Sequence, residues 1–263
     1  MRFAWQGFSF EAPPDWQPLV LTGGFSAGYV RLSGLGRDLL QVRWQKSAGQ
    51  PGRRAVESYL DRLARDAKKQ GRNFEGKVFE DPEQVRYRYS SEVNGQGALF
   101  DGISGGESRT VFLEAASSGK SVPASLLKQA LCSFRFEDGE LTPWRLLGLE
   151  VSLPKNLSLQ RKELMAGKTL LEFGSRGTLV TAERWGFAEQ LLAKTTLTEW
   201  ASALTGCKAV EEESANRVRL TKSRVLRAPV EVLAVKQIKQ NQITLIRTET
   251  RAETMKPQWN WFD

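Results

Sequence analysis

The chain has 263 residues, 40% of them hydrophobic and 26% charged, enough for two ordinary cores and without the bias of a disordered or fibrous protein. Its formal charge is +8 and it holds no histidine, which excludes histidine-based catalysis and histidine metal ligation together. No stretch approaches the roughly 18 apolar residues of a membrane span, no leader-like region precedes Arg2, and Cys132 and Cys207 fall in different halves as reduced thiols do, so the expectation is a cytoplasmic protein with no cofactor and no metal.

Taken in order, Arg2 to Glu11 reads as one strand with Phe8 and Phe10 on a shared face and Gly7 allowing a slip in register. Pro13 and Pro14 stop it, and Trp16 is placed to fold back over it. Val20–Leu21, Ala27–Leu32 and Leu39–Gln45 follow as short strands, the last with Leu40, Val42 and Trp44 alternating against Gln41, Arg43 and Gln45. Between Arg53 and Gln70 the period turns helical: Val56, Tyr59, Leu60, Leu63 and Ala67 form one stripe, Asp61, Arg62, Arg65, Lys68 and Lys69 the other, and Gly71 supplies the stop. Four strands come next, Phe74–Phe79, Gln84–Val93, Ala98–Ile103 and Arg109–Ala115, with Asn94-Gly95 read as the turn between the second and third. A helix over Ala124–Leu131 runs into a strand at Cys132–Phe136, and a polar turn at Glu137–Glu140 marks a boundary.

The second half opens as the first did. Trp5 matches Trp144, Phe8 matches Leu147, Phe10 matches Leu149 and Phe25 matches Leu164, at one offset of 139 positions, and each copy then makes a hairpin closing on a tryptophan, Trp44 or Trp185. Trp144–Leu153, Lys168–Phe173 and Thr178–Arg184 are its strands, and the helix comes in two pieces, Phe187–Lys194 and one from Leu197. Thr196 and Glu199 form a capping box before the second piece, Gly206 ends it, and Leu197, Trp200 and Leu204 are its core side. Lys208–Glu213, Asn216–Thr221, Pro229–Lys236 and Gln242–Thr248 complete the strands, with a bulge expected where Val230 and Val232 pass into Leu233 and Val235.

These features predict an α+β protein of two tandem repeats, residues 1–139 and 140–263, each an antiparallel sheet packed against helices. The element order, with Phe8, Phe10, Pro13, Trp16 and Trp44 early and Leu126, Leu127, Ser133 and Phe134 late in the first half, resembles the PsbP-like α/β/α sandwich proteins. That resemblance implies an accessory or binding role without catalytic residues, and it transfers no functional residue.

The candidate chemistry is sparse. Both cysteines lie at helix C-terminal ends, where the dipole does not activate a thiol, and read as buried structural cysteines. Gly34-x-Gly36 and Gly95-x-Gly97 lack a nucleotide-binding context and read as hairpins, and Glu211–Glu213 reads as a solvated charge run. The basic excess lies mainly in the second half, at +6 against +2, and its densest stretch supplies Arg217, Arg219, Lys222, Arg224 and Arg227 as candidate anion-binding residues for a polyanion or nucleic acid. Arg86-Tyr87-Arg88-Tyr89 interleaves cations with aromatics, but period two turns both tyrosines to the core. Trp259, Trp261 and Phe262 form an apolar tail expected to dock on the protein itself or on a partner. The reading that follows is a non-catalytic binding or accessory protein with a protein partner, polyanion binding through 217–227 being the alternative.

Overall fold

In the computed structural model the described residues are 1–34, 38–47, 49, 52–81, 84–118, 124–223 and 228–250. The chain divides into two compact units, Met1–Pro143 and Trp144–Asp263.

The first unit begins with a hairpin of β1 (Arg2–Trp5) and β2 (Phe8–Glu11), where sequence periodicity had indicated one strand. Gln6 and Gly7, at φ 49° and 86°, make the two-residue turn, and Trp5 pairs with Phe8 across it. A hairpin turn of this hand suits the twist of the flanking strands, so Gly7 reverses the chain instead of slipping its register. Seven strands then form one antiparallel sheet: β3 (Gln17–Gly23), β4 (Ala27–Ser33), β5 (Asp38–Lys46), β6 (Glu75–Asp81), β7 (Gln84–Ser90), β8 (Asn94–Ser104) and β9 (Glu107–Ser117), in the order β3-β4-β5-β9-β8-β7-β6. Helix α1 (Gly52–Lys69) joins β5 to β6 and lies over β6, β7 and β8 on one face. The opposite face carries the β1–β2 hairpin, helix α2 (Ala124–Ser133) and β10 (Arg135–Phe136), which pairs with β2. That second face is an aromatic core that also buries Arg109, which donates to the carbonyl of Gln6: Phe8 meets Trp44 at 5.3 Å and Phe134 stacks on Phe100 at 4.1 Å.

The second unit begins within β11 (Leu141–Leu146), which with β12 (Leu149–Pro154) makes a hairpin, again two strands where sequence periodicity indicates one. Leu147 and Gly148, at φ 51° and 78°, repeat the conformation of Gln6 and Gly7. Matching the two turns moves the correspondence between halves two residues beyond the offset read from sequence, so Phe8 corresponds to Leu149 and not to Leu147. Its sheet contains β13 (Ser158–Met165), β14 (Lys168–Ser175), β15 (Thr178–Gly186), β16 (Lys208–Ser214), β17 (Arg217–Lys222), β18 (Val230–Gln237) and β19 (Gln242–Thr250). Their order, β13-β14-β15-β19-β18-β17-β16, is that of the first unit strand for strand. Helices α3 (Ala188–Leu191) and α4 (Leu197–Thr205) join β15 to β16, and α4 lies over β16, β17 and β18. The capping box of Thr196 and Glu199 forms, and Gly206 takes the left-handed C-terminal position.

The α+β assignment is corrected by the proportions. Strands hold 58% of the described residues and helices 17%, so the protein is predominantly β. Sequence periodicity places the helices where they are found, but an α+β class overstates them, since among the described residues only α1 exceeds ten residues while most of the chain runs in strands. Other expectations are corrected too. Asn94 and Gly95 lie inside β8, Gly95 opposite Tyr89, and the reversal falls before them. Strand β18 pairs on both sides without a bulge, because as an interior strand it buries Val232, Leu233 and Ala234 on both faces. Leu204 is exposed, not core. The two hairpin tryptophans are not equivalents: Trp44 faces the aromatic core with Phe8, whereas Trp185 faces the helices and meets Trp200 at 5.7 Å.

Candidate ligand-binding site

All four tyrosines of the chain belong to the first unit, and the structure brings them to one carboxylate. Glu114 lies on the central strand β9, on the face covered by α1, and is only 4% exposed. Tyr59, from α1, donates to it at 2.9 Å, and Tyr87 and Tyr89, from β7, donate at 3.0 Å each. Gln41, its partner across on β5, donates its amide at 2.7 Å and accepts at 2.6 Å from the hydroxyl of Tyr29 on β4.

The reach of Tyr87 and Tyr89 depends on glycine. Strand β8 separates them from β9, and neighbouring strands lie about 4.8 Å apart, so each ring must cross a strand to deliver its hydroxyl. Opposite Tyr87 stands Gly97, which in turn stands opposite Glu114, and opposite Tyr89 stands Gly95. A Cβ on Gly95 would fall 2.2 Å from the Tyr89 ring, and one on Gly97 would fall 2.7 Å from the Tyr87 ring and 2.6 Å from a backbone carbonyl. The two glycines are the trough in which the phenols lie, and this is the role of the motif that sequence alone presents as a hairpin.

Four donors and no acceptor surround the Glu114 oxygens, the arrangement an ionised carboxylate needs when it leaves water. Burial nevertheless pushes its pKa above the usual carboxylate value, and the hydrogen bonds from Tyr59, Tyr89 and Tyr87 pull against that shift. The same burial, reinforced by the Glu114 charge, raises the phenols of Tyr59, Tyr87 and Tyr89 well above their ordinary value.

Above this cluster a cavity of about 390 Å³ opens between α1 and strands β5 and β9. Glu114, Tyr87, Tyr59 and Phe112 line it, along with Gln41, Gln45 and Ser58, and Arg43, Arg62 and Arg65 contribute three guanidinium groups. Arg43 stacks over the rings of Tyr29 and Tyr59 at 5.4 and 5.6 Å, and Arg62 over Tyr59 at 5.3 Å. All three arginines are exposed, and among the described residues none forms an ion pair. Sequence periodicity places Arg62 and Arg65 on the solvent stripe of α1 and singles out neither Glu114 nor Arg43.

The residues nominated from sequence lie elsewhere. Arg217 and Arg219 are on the interior strand β17, half-buried and engaged, so they are not a free row of exposed cations. Arg219 faces Glu211 in register on β16, and Lys222 is exposed at the end of β17. Arg224, Arg227, Trp259, Trp261 and Phe262 lie outside the described residues. Cys207 is buried after α4 as expected, whereas Cys132 is exposed on α2 and not buried. Among the described residues no group of acidic or cysteine side chains is placed to hold a metal ion, and no helix is long and apolar enough to cross a membrane.

No protein-family model matches the chain, and no curated protein matches it. Among solved structures, a protein from Bacteroides thetaiotaomicron VPI-5482 aligns over 53% of this chain and 50% of its own, at 12% identity and a TM-score of 0.31. This chain therefore spans half the length of that neighbour, and the likeness is too slight to carry an argument. None of these comparisons points to the PsbP-like proteins.

Proposed function

We propose that this is a non-catalytic binding protein made from a duplicated module, in which the first unit holds the ligand site and the second has given it up. The observation that carries the reading is the state of the titratable groups in the cavity. Glu114 is occupied by four donors, and the three phenols that hold it are pushed away from the range of a useful base. What remains without an ion pair among the described residues is a set of guanidiniums, which bind oxyanions and do not move protons near neutral pH. A site whose proton carriers are fixed and whose cations have no carboxylate paired to them suits binding, not turnover. The alternative of a polyanion surface through 217–227 is weaker, since Arg217 and Arg219 are already engaged.

The test is ligand-observed NMR of the full chain with a fragment set spanning anionic, neutral and cationic compounds. Binders should be lost in the Arg43→Ala/Arg62→Ala double variant and recovered unchanged from the solution. Fragments that bind that variant as well as the parent, or that are chemically altered on incubation, would count against the proposal.

A further inference from the structure

We infer that the first-unit cavity takes a small organic dianion, a phosphate monoester or a dicarboxylate. This rests on the reading of the cavity as a binding site and goes on to name what fits it. The charges lining the cavity are three guanidiniums, Arg43, Arg62 and Arg65, against the single carboxylate of Glu114, an excess of two positive charges if that carboxylate is ionised and three if it is not. A monoanion leaves the excess uncompensated, and a dianion closes it; in a cavity walled by Tyr59 and Phe112 and partly removed from water, that difference counts for more than it would on an open surface.

Geometry supports the same ligand class. Arg43 and Arg62 spend their faces on tyrosine rings, which holds each planar fork in place with its N–H edge free for two-point contact with a phosphate or carboxylate. Ser58, exposed on the same helix, adds a hydroxyl. A cationic ligand finds no free carboxylate, because the Glu114 oxygens are already filled by Gln41 and the phenols. At about 390 Å³ the cavity lies at the small end of ligand pockets, so it suits a metabolite-sized molecule and not a stretch of polymer.

The test is titration calorimetry of the full chain at pH 7.5 with matched probes: phenyl phosphate against benzenesulfonate, and succinate against butyrate, with benzamidine as the cation. Phosphate monoesters are dianions at that pH. Each dianion should bind about tenfold or more tightly than its monoanionic twin. The pair that shows the larger ratio tells phosphate from dicarboxylate. Arg62→Gln with Arg65→Gln should bring the twins to within about twofold, and Arg54→Gln, on the same helix outside the cavity, should leave the ratio alone. Glu114→Gln should tighten the dianions further. Twins of equal affinity, or benzamidine as the best binder, would overturn the dianion and leave the cavity a binding site; no heat from any probe at millimolar concentration would overturn both.

Discussion

The two units share a strand order and differ in what lies between sheet and helix. In the first, the helix face of the central strand carries Glu114, roofed by Tyr59 and flanked by a cavity. In the second, the helix face of the central strand carries Ile243 and Leu245, which join Val218, Leu220, Val232 and Ala234 under Leu197 and Ala201 of α4 in one dry cluster. The short helix α3 and Trp185 pack against the same cluster, so the space is filled. The aromatic inventory follows the same division: the tyrosines are all in the first unit, and the second unit's helix face closes with Trp185 against Trp200. A common scaffold thus supports both a polar, open interface and an apolar, sealed one, and only the polar one needs glycines on the neighbouring strand.

The sharpest way to break this comparison is to put the first unit's acid into the second. Leu245→Glu buries a carboxylate at 1% exposure with no phenol to meet it, and the cost should be on the order of 4 kcal/mol or more. Peptide-resolved hydrogen exchange should show protection lost across β17, β18, β19 and α4 with the first unit intact. Retained protection would mean that the tyrosine cluster is not what makes Glu114 tolerable. Next in size is the reverse loss. Tyr87→Phe removes one donor from a fully buried charge and should cost about 2 kcal/mol in denaturant unfolding, and less in a Glu114→Gln background. Gly97→Ala, which places a methyl against the Tyr87 ring and a backbone carbonyl, should cost about 1–3 kcal/mol by overpacking.

How much of this could be read in advance varies with the physics involved. The alternation that turns Tyr87 and Tyr89 inward and the apolar stripe of α1 are local periodicities, and both were legible. So was the capping box at Thr196, whose parts are adjacent in sequence. The site itself was not, because its members meet through strand order. Glu114 reaches Gln41 only because β9 inserts between β5 and β8, and no local pattern states that insertion. Asn94-Gly95 misled for the same reason: its glycine serves a tyrosine on the next strand, and a turn is the commoner use of that dipeptide. Two signals were available, a single acid inside the apolar run from Thr110 to Ala116 and the confinement of every tyrosine to one half.

The contrast extends to pH. The Glu114 pKa is raised in the folded state, so the folded first unit holds its proton more tightly than the unfolded chain does. Its stability should therefore fall as pH climbs from the unfolded carboxylate value of about 4.3 toward the folded one. The three raised phenols act in the same sense above about pH 10, where the unfolded chain releases protons that the folded unit keeps. Tyrosinate absorbance should then rise together with loss of structure, not ahead of it, and Glu114→Gln should remove the acidic slope and weaken the alkaline one, because the Glu114 charge adds to the phenol shifts. Three phenols that titrate freely in a folded protein would refute the burial on which the site depends.

The smallest effect concerns how each helix is held. Helix α1 is tied to its sheet through the Tyr59 hydroxyl as well as through Val56 and Leu60, so its position is set by side chains facing the sheet. Helix α4 rests on an apolar face that fixes no single orientation, and its start is set instead by Thr196, whose hydroxyl accepts from the Glu199 backbone while the Glu199 side chain accepts from the Thr196 backbone. Thr196→Ala should cost about 1 kcal/mol, the usual loss of an N-cap. Its mark should be faster exchange confined to the first turn of α4, with the cluster of Val218, Val232 and Leu245 unaffected, because that core is closed by area and not by a hydrogen bond. Exchange spreading into β17 and β18 would show that the cap, and not the apolar face, holds the second unit shut.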